Sequence, residues 1–344
     1  MSLATTPPTA APATTLRQDA GVIGLVGVAH AVSHFSQLLL APLFPWLKEA
    51  FDASFTQLGA LLTVFFVVSC AVQTLSGFVV DRIGPRPVLM GGLTLLGLAA
   101  LGFASAQSLT QLGLCAVLAG TGNGVFHPVD YTLLNRKIDK TRLGHAYSVH
   151  GITGSLGWAL APALMVPVAL AAGWRMAFVA AALVAFAVLA LLWWHRDQLD
   201  LAPAEPAGPA TVKATPDAAA AGPQAEGTLA FLRIPAVWMC FAFFLFYAAA
   251  LSVVQGFAPE AARQLHAVPV HWVALCLSIY MVCSALGMVG GGFLAADPAR
   301  CERVVGVGMG LAACVALVVA LVDVPAWSVP VLFGLREAWV PRPA

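Results

Sequence analysis

Apolar residues run along this chain in blocks of roughly twenty, the length that carries a helix across a bilayer, and charged residues are confined to the gaps between blocks. The blocks predict membrane-spanning helices over 22–46, 56–80, 87–106, 109–134, 144–171 and 174–195, then over 234–258, 271–296 and 303–322. A tenth opens near Pro325 and reads on to Leu335, about half of what a bilayer needs. Charge in the gaps orients the set. With the N-terminus in the cytoplasm, twelve Lys and Arg residues between Arg17 and Arg303 fall on the cytoplasmic side, against Lys48, Arg175 and Arg263 opposite. That asymmetry fits the positive-inside rule, so the expectation is a multi-pass inner-membrane protein with a cytoplasmic N-terminus.

Two stretches break the pattern. Residues 1–21 are rich in Ala, Thr and Pro and lack a basic, apolar and cleavable signal; they read as a disordered tail. Residues 197–229, mostly Ala, Pro, Gly and Thr, cannot bury a core and read as a flexible cytoplasmic linker. The linker separates a six-span half, 22–196, from a second half, 230–335, followed by an atypical tail, 336–344. The halves echo each other: Ser69 stands eight residues before Gly77 with Asp81 following, and Ser284 eight before Gly292 with Asp297 following. Internal repeats of this kind are a transporter habit.

Composition narrows the classes. Hydrophobic residues make up 60% and charged residues 10% of the 344, where soluble domains carry about 25% charged; the chain is an integral membrane protein of all-α type. A formal charge of +1 with no basic block argues against nucleic acid as a partner. The seven cysteines include no Cys-x-x-Cys pair, and six of them lie in apolar runs, so neither a disulfide framework nor a zinc site is indicated.

Polar residues inside the spans are the candidates for function. Gly120, Gly122 and Gly124 leave the fourth span with almost no side-chain wall, and Asn123, His127, Asp130 and Tyr131 follow. Ionisable residues facing lipid are costly, so His127 and Asp130, three apart on one face, should face a bundle interior or wet cavity. The other reading is a packing seam, with small residues letting helices approach and the His and Asp satisfying each other. Pro128 removes a backbone donor and predicts a kinked or opened helix, tolerated where protein or water re-satisfies the freed carbonyl. On the first span His30, His34 and Gln37 fall at i, i+4 and i+7, and the fifth brings Tyr147, His150 and Gly154 to one face. Imidazoles titrate near physiological pH and can carry a proton through a transport cycle; alternatively each bonds a neighbour and never changes charge. His30 and His34 also fit the His-x-x-x-His spacing of membrane di-iron oxidases, but two ligands are not a site and paired His boxes are absent, so neither metal nor cofactor is expected. Trp174 and Arg175 read as an interface anchor.

Gly77, Asp81, Arg82, Gly84 and Arg86, spaced Gly-x-x-x-Asp-Arg-x-Gly-x-Arg after the second span, resemble the loop signature of the major facilitator superfamily. Its physics is legible: Gly77 lets two helices touch, Gly84 permits a tight turn, and Asp81, Arg82 and Arg86 can latch one conformation. Ser33, His34, Pro45, Phe51, Gln57, Gly59 and Gln73, with Gly120, Gly122 and Val125 to Pro128, are similar to the fosmidomycin-resistance type of efflux carrier within it. There the acid tends to follow His-Pro directly, whereas here Val129 intervenes before Asp130.

This resemblance implies twelve spans in two halves, with spans one and four lining a central cavity and five facing the other half. Nine to ten spans are legible, so the second half is expected to be incomplete and the last residues to stem from truncation or a frameshift. The expected function is proton-coupled efflux of a small organic molecule by a monomeric carrier, not an enzyme. His34, His127 and Asp130 are the expected proton or substrate contacts, His30 and His150 their support, and Gln37, Asn123 and Tyr131 further candidates. A non-transporting remnant of such a carrier and a membrane metalloenzyme are the other readings.

Overall fold

The structure is a computed structural model and describes residues 15–201, 230–256, parts of 261–290, and 298–338. The N-terminal residues before Thr15, most of the linker, most of the eighth predicted span with Gly292 and Asp297, and the last six residues lie outside the described set. Contacts divide the chain into two compact units, Met1–Ala202 and Pro203–Pro343.

In the first unit every described element is helical: α1 (Leu16–Gln37), α2 (Phe44–Phe51), α3 (Phe55–Ile83), α4 (Pro85–Ser105), α5 (Leu109–Asn123), α6 (Phe126–Lys137), α7 (Leu143–Ala172) and α8 (Trp174–Trp194). A 3-10 turn joins α1 to α2, and α5 and α6 follow each other closely, so the eight helices form six segments long and apolar enough to cross a membrane. All six predicted spans are present, most of them longer than the apolar runs. α1 starts at Leu16 rather than residue 22, because Thr15 and Gln18 form a capping box that begins the helix inside the predicted tail. Ser54 and Gln57 make the same box for α3. Gly84, at φ +86°, makes the sharp turn from α3 into α4, a conformation that strains any side-chain-bearing residue. Here the expectation from the loop signature holds.

Two apolar clusters fill this unit. Phe35, Leu43, Phe103, Leu112 and Phe178 belong to one, and Val26, Leu89, Phe126, Leu133 and Leu192 to the other. They meet on α1 at Ser33, on α5 at Asn123 and on α7 near His150, where polar residues replace apolar ones. Meanwhile Val67, Leu75, Leu156, Leu170 and Leu183 stand exposed, a surface that suits hydrocarbon and would be a liability in water.

The ends of the helices that sequence charge assigns to the cytoplasm are tied together. Asp19, 1% exposed, accepts from Arg142 Nε at 2.7 Å and from the Asp139 amide at 3.3 Å. The Thr141 amide and hydroxyl donate to Asp139 and hold its carboxyl below the usual carboxylate range. A 3-10 turn over Arg196–Leu199 follows α8, with Leu199 buried; Asp200 then pairs with Arg86, and its carbonyl accepts from Lys137 Nζ at 2.6 Å. The first residues of the predicted flexible linker are therefore ordered. A charge that composition shares with a solvated coil here finds partners at the ends of two neighbouring helices. At the opposite end Arg175 lies over the Trp174 ring, 4.0 Å from its centroid, and donates to the Ala106 carbonyl.

The second unit holds α9 (Pro235–Gly256), helical residues within 279–290, α10 (Pro298–Leu321) and α11 (Val329–Ala338). α10 is long and apolar enough to cross a membrane, and α9 carries a shorter apolar stretch, Pro235–Ala250. α11 continues through Arg336 and Glu337 to Ala338, beyond the predicted end at Leu335.

Candidate functional site

The break between α5 and α6 falls at Gly124 and Val125, one turn ahead of Pro128. Proline at 128 leaves the Gly124 carbonyl without its helical donor, and the Ser76 hydroxyl of α3 lies 3.3 Å from it, its one proton shared with the Gln73 carbonyl at 3.2 Å. The glycines of this segment are a packing seam. A Cβ on Gly120 or Gly124 would lie 2.5 Å from the Phe65 or Ser69 carbonyl of α3, and one on Gly122 2.9 Å from the Gly92 carbonyl of α4. Clamped on both sides, α5 and the start of α6 hold His127 and Asp130 toward α1 and α7.

The two readings of this stretch are both realised, by different residues: the glycines pack, and the polar side chains gather. Asp130 is 0% exposed, and its Oδ2 lies 3.1 Å from His30 Nδ1 and 3.1 Å from His150 Nε2. Each ring can donate to that one oxygen. His30 stacks on His150 with centroids 3.5 Å apart, and lies 4.3 Å from the His34 ring and 5.1 Å from the His127 ring. Tyr131 closes one side, its ring 5.8 Å from His127 and 5.5 Å from His150. Gly154 makes room: a Cβ there would sit 2.9 Å from His34 Nδ1 and 3.0 Å from His30 Nε2. Four buried atoms of this cluster have no hydrogen-bond partner among the described residues: both ring nitrogens of His34, Nδ1 of His127 and Oδ1 of Asp130. Unsatisfied buried polar groups cost roughly 1–3 kcal/mol each, so their concentration in one place points to something that fills them.

Asn123 belongs to a different layer. Its amide donates to the Ser33 carbonyl at 2.9 Å and the Ser33 hydroxyl at 2.8 Å, and its oxygen accepts from Ser69 at 2.8 Å, tying α1, α3 and α5. Gln37 accepts from Trp158 Nε1 at 2.8 Å, while the Trp158 ring lies 4.5 Å from that of His34. Both side chains therefore already serve helix contacts.

A model of the Major Facilitator Superfamily matches residues 26–340. The chain belongs to that superfamily. It is 30% identical over 203 residues to the fosmidomycin resistance protein of Escherichia coli, covering 55% of this chain and 47% of that protein. It is 29% identical over 182 residues to an MFS-type transporter of Bacillus subtilis, covering 52% and 44%. A multidrug resistance protein B homolog of Mycobacterium tuberculosis is 27% identical over 165 residues, covering 47% and 31%. The chain thus spans about half the length, or less, of these relatives. The solved structure of a proton:xylose symporter bound to 6-bromo-6-deoxy-D-glucose superposes with a TM-score of 0.68 at 14% identity, covering 94% of this chain and 79% of the symporter. That likeness is one of fold.

The superfamily loop signature lies apart from the histidine layer, at the α3–α4 turn. Arg86 pairs with Asp200 rather than with the other signature residues, and Asp81 and Arg82 are exposed. The expected close approach at Gly77 is not made: nothing among the described residues comes within 4 Å of a Cβ built there. Four contributors are invisible to spacing alone. Trp158 sits unremarked in the apolar run of the fifth span, Ser33 enters only through the family resemblance, Ser69 only through the echo between halves, and Asp19 as part of a tail. The Thr15–Gln18 capping pattern is the signal that would have placed Asp19 on a helix.

Proposed function

We propose that this chain is a secondary active transporter of the inner membrane, its N-terminus cytoplasmic, that exchanges protons for a small organic molecule moving outward. The observation that carries this reading is Asp130, wholly buried between His30 and His150 with its second oxygen unpartnered beside the free nitrogens of His34 and His127. A buried carboxylate needs a compensating charge, and a neighbouring imidazole supplies one by taking up a proton. Substrate polar groups can fill the same vacant atoms, so proton and substrate compete for one layer as it is exposed alternately to the two sides. Efflux of drug-like molecules is supported by what the fosmidomycin and multidrug resistance relatives are named for.

The test is uptake of fosmidomycin and of ethidium into inverted membrane vesicles containing the chain. Accumulation of either that collapses with a protonophore is the expected result. Uptake of neither probe, or uptake indifferent to the protonophore, overturns the reading.

A further inference from the structure

The histidine layer holds more nitrogen donors than one protonated pair requires. His30, His127 and His150 each offer a ring nitrogen, and these three atoms lie within 4.8 Å of one another. Imidazoles on one tetrahedral zinc, at bond lengths of about 2.0–2.1 Å, stand roughly 3.3 Å apart. Closing that difference requires the stacked rings of His30 and His150 to turn away from each other so that their lone pairs converge. His34, with centroid 4.3 Å from His30 and both nitrogens unpartnered, is the nearest fourth donor.

Around these donors the surroundings suit a cation. Asp130 already bonds one nitrogen each of His30 and His150 at 3.1 Å, the placement by which carboxylates orient metal-binding imidazoles and raise their basicity. Its charge offsets part of a divalent ion's charge in a buried layer. The absent Gly154 side chain leaves space at His34 Nδ1 and His30 Nε2. Imidazole donors backed by one carboxylate, with no thiolate in the cluster, favour zinc, nickel, cobalt or copper(II) over copper(I), magnesium or calcium.

We propose that His30, His127 and His150, with His34 as fourth donor and Asp130 as the orienting carboxylate, bind one divalent first-row transition-metal ion of the zinc class. The site differs from the oxidase pattern suggested by His30 and His34 alone, because its other donors come from two other helices. It stands independently of transport, although an ion seated there occupies the nitrogens a proton would need.

The experiment titrates the full chain, purified in detergent without a histidine tag, with cobalt(II) and follows visible absorption. One equivalent should bind with the intense bands of a four-coordinate, nitrogen-rich ion and be displaced by zinc. His127→Gln and His150→Gln should each weaken binding at least about tenfold, while His195→Gln, outside the cluster, should leave it unchanged. Zinc-edge X-ray absorption of the unmutated protein needs no variant and should give imidazole scattering from three or four rings. Absence of saturable one-to-one binding, a signal that survives the His127→Gln/His150→Gln double change, or a shell of oxygen alone overturns the proposal. Metal binding without protonophore-sensitive uptake would remove the transport reading and leave this one standing; uptake without metal binding would do the reverse.

Discussion

His30 on α1 and His150 on α7 stack with ring centroids 3.5 Å apart and reach the same oxygen of Asp130. Two imidazolium ions at that separation would repel strongly in a low-dielectric layer, so the stacked arrangement relies on the one carboxylate that both rings reach. The geometry depends on α1 and α7 lying close, which glycines at 154 and 157 allow.

Removing the titrating groups should separate coupling from folding. Asp130→Asn keeps shape and hydrogen-bonding capacity but not charge, and His127→Ala removes a ring that is not packed in either apolar cluster. Each is expected to lower protonophore-sensitive uptake at least about tenfold while the protein remains in the membrane, because each takes an ionisable group from bilayer depth. Unchanged pH dependence of uptake in both variants would favour histidines that merely satisfy neighbours.

The α1–α7 contact predicts opposite outcomes for two glycines on those helices. A Cβ on Gly157 would collide with the Ala31 carbonyl, a backbone atom that cannot rotate away, whereas one on Gly24 meets nothing within 4 Å. Gly157→Ala should destabilise by about 1–3 kcal/mol, and Gly24→Ala should stabilise by roughly 0.5–1 kcal/mol through helix propensity. Thermal unfolding in detergent reads both; equal shifts would show that the helices do not meet as described.

Much of this arrangement was legible in the chain because bilayer-length apolar runs and loop charge leave few alternatives. The six apolar helical segments of the first unit and the turn at Gly84 follow from local pattern, as does the burial of His30 and His150. What local pattern could not supply is the partner of each polar group, since His30 and Asp130 are a hundred residues apart and nothing in their neighbourhoods encodes that pairing. Asp200 escaped for a related reason: a charge in an Ala- and Pro-rich stretch reads as solvated until Arg86 and Lys137 are brought beside it. At Gly77 a family signature suggested a helix contact, and among the described residues nothing lies within 4 Å of a Cβ built there, because a signature reports residue types and not what lies opposite them.

The helix break offers a rescue experiment. Ser76→Ala should leave the Gly124 carbonyl, already stripped of its helical donor by Pro128, without a partner, at a cost of about 1 kcal/mol. Pro128→Ala restores a backbone N–H four residues on, so the Ser76→Ala/Pro128→Ala pair should regain most of that loss. Strictly additive changes in melting temperature would mean that the hydroxyl and the proline do not act on the same carbonyl.

Orientation is the last expectation and the one on which the direction of transport rests. Twelve basic residues were assigned to one side and three to the other from charge alone, and the structure gathers Arg86, Lys137 and Arg142 into ion pairs and hydrogen bonds with Asp200 and Asp19 at one end of the first unit. Arg175, over Trp174 and bonded to the Ala106 carbonyl, marks the other end. In a cysteine-free background, a cysteine at Gln107, exposed beside that carbonyl, should react with a membrane-impermeant maleimide in intact cells. One at Ala207, seven residues beyond the Asp200 tether in sequence, should react only after the membrane is permeabilised. The reversed pattern would invert the assignment, put the linker outside, and turn the proposed efflux into uptake.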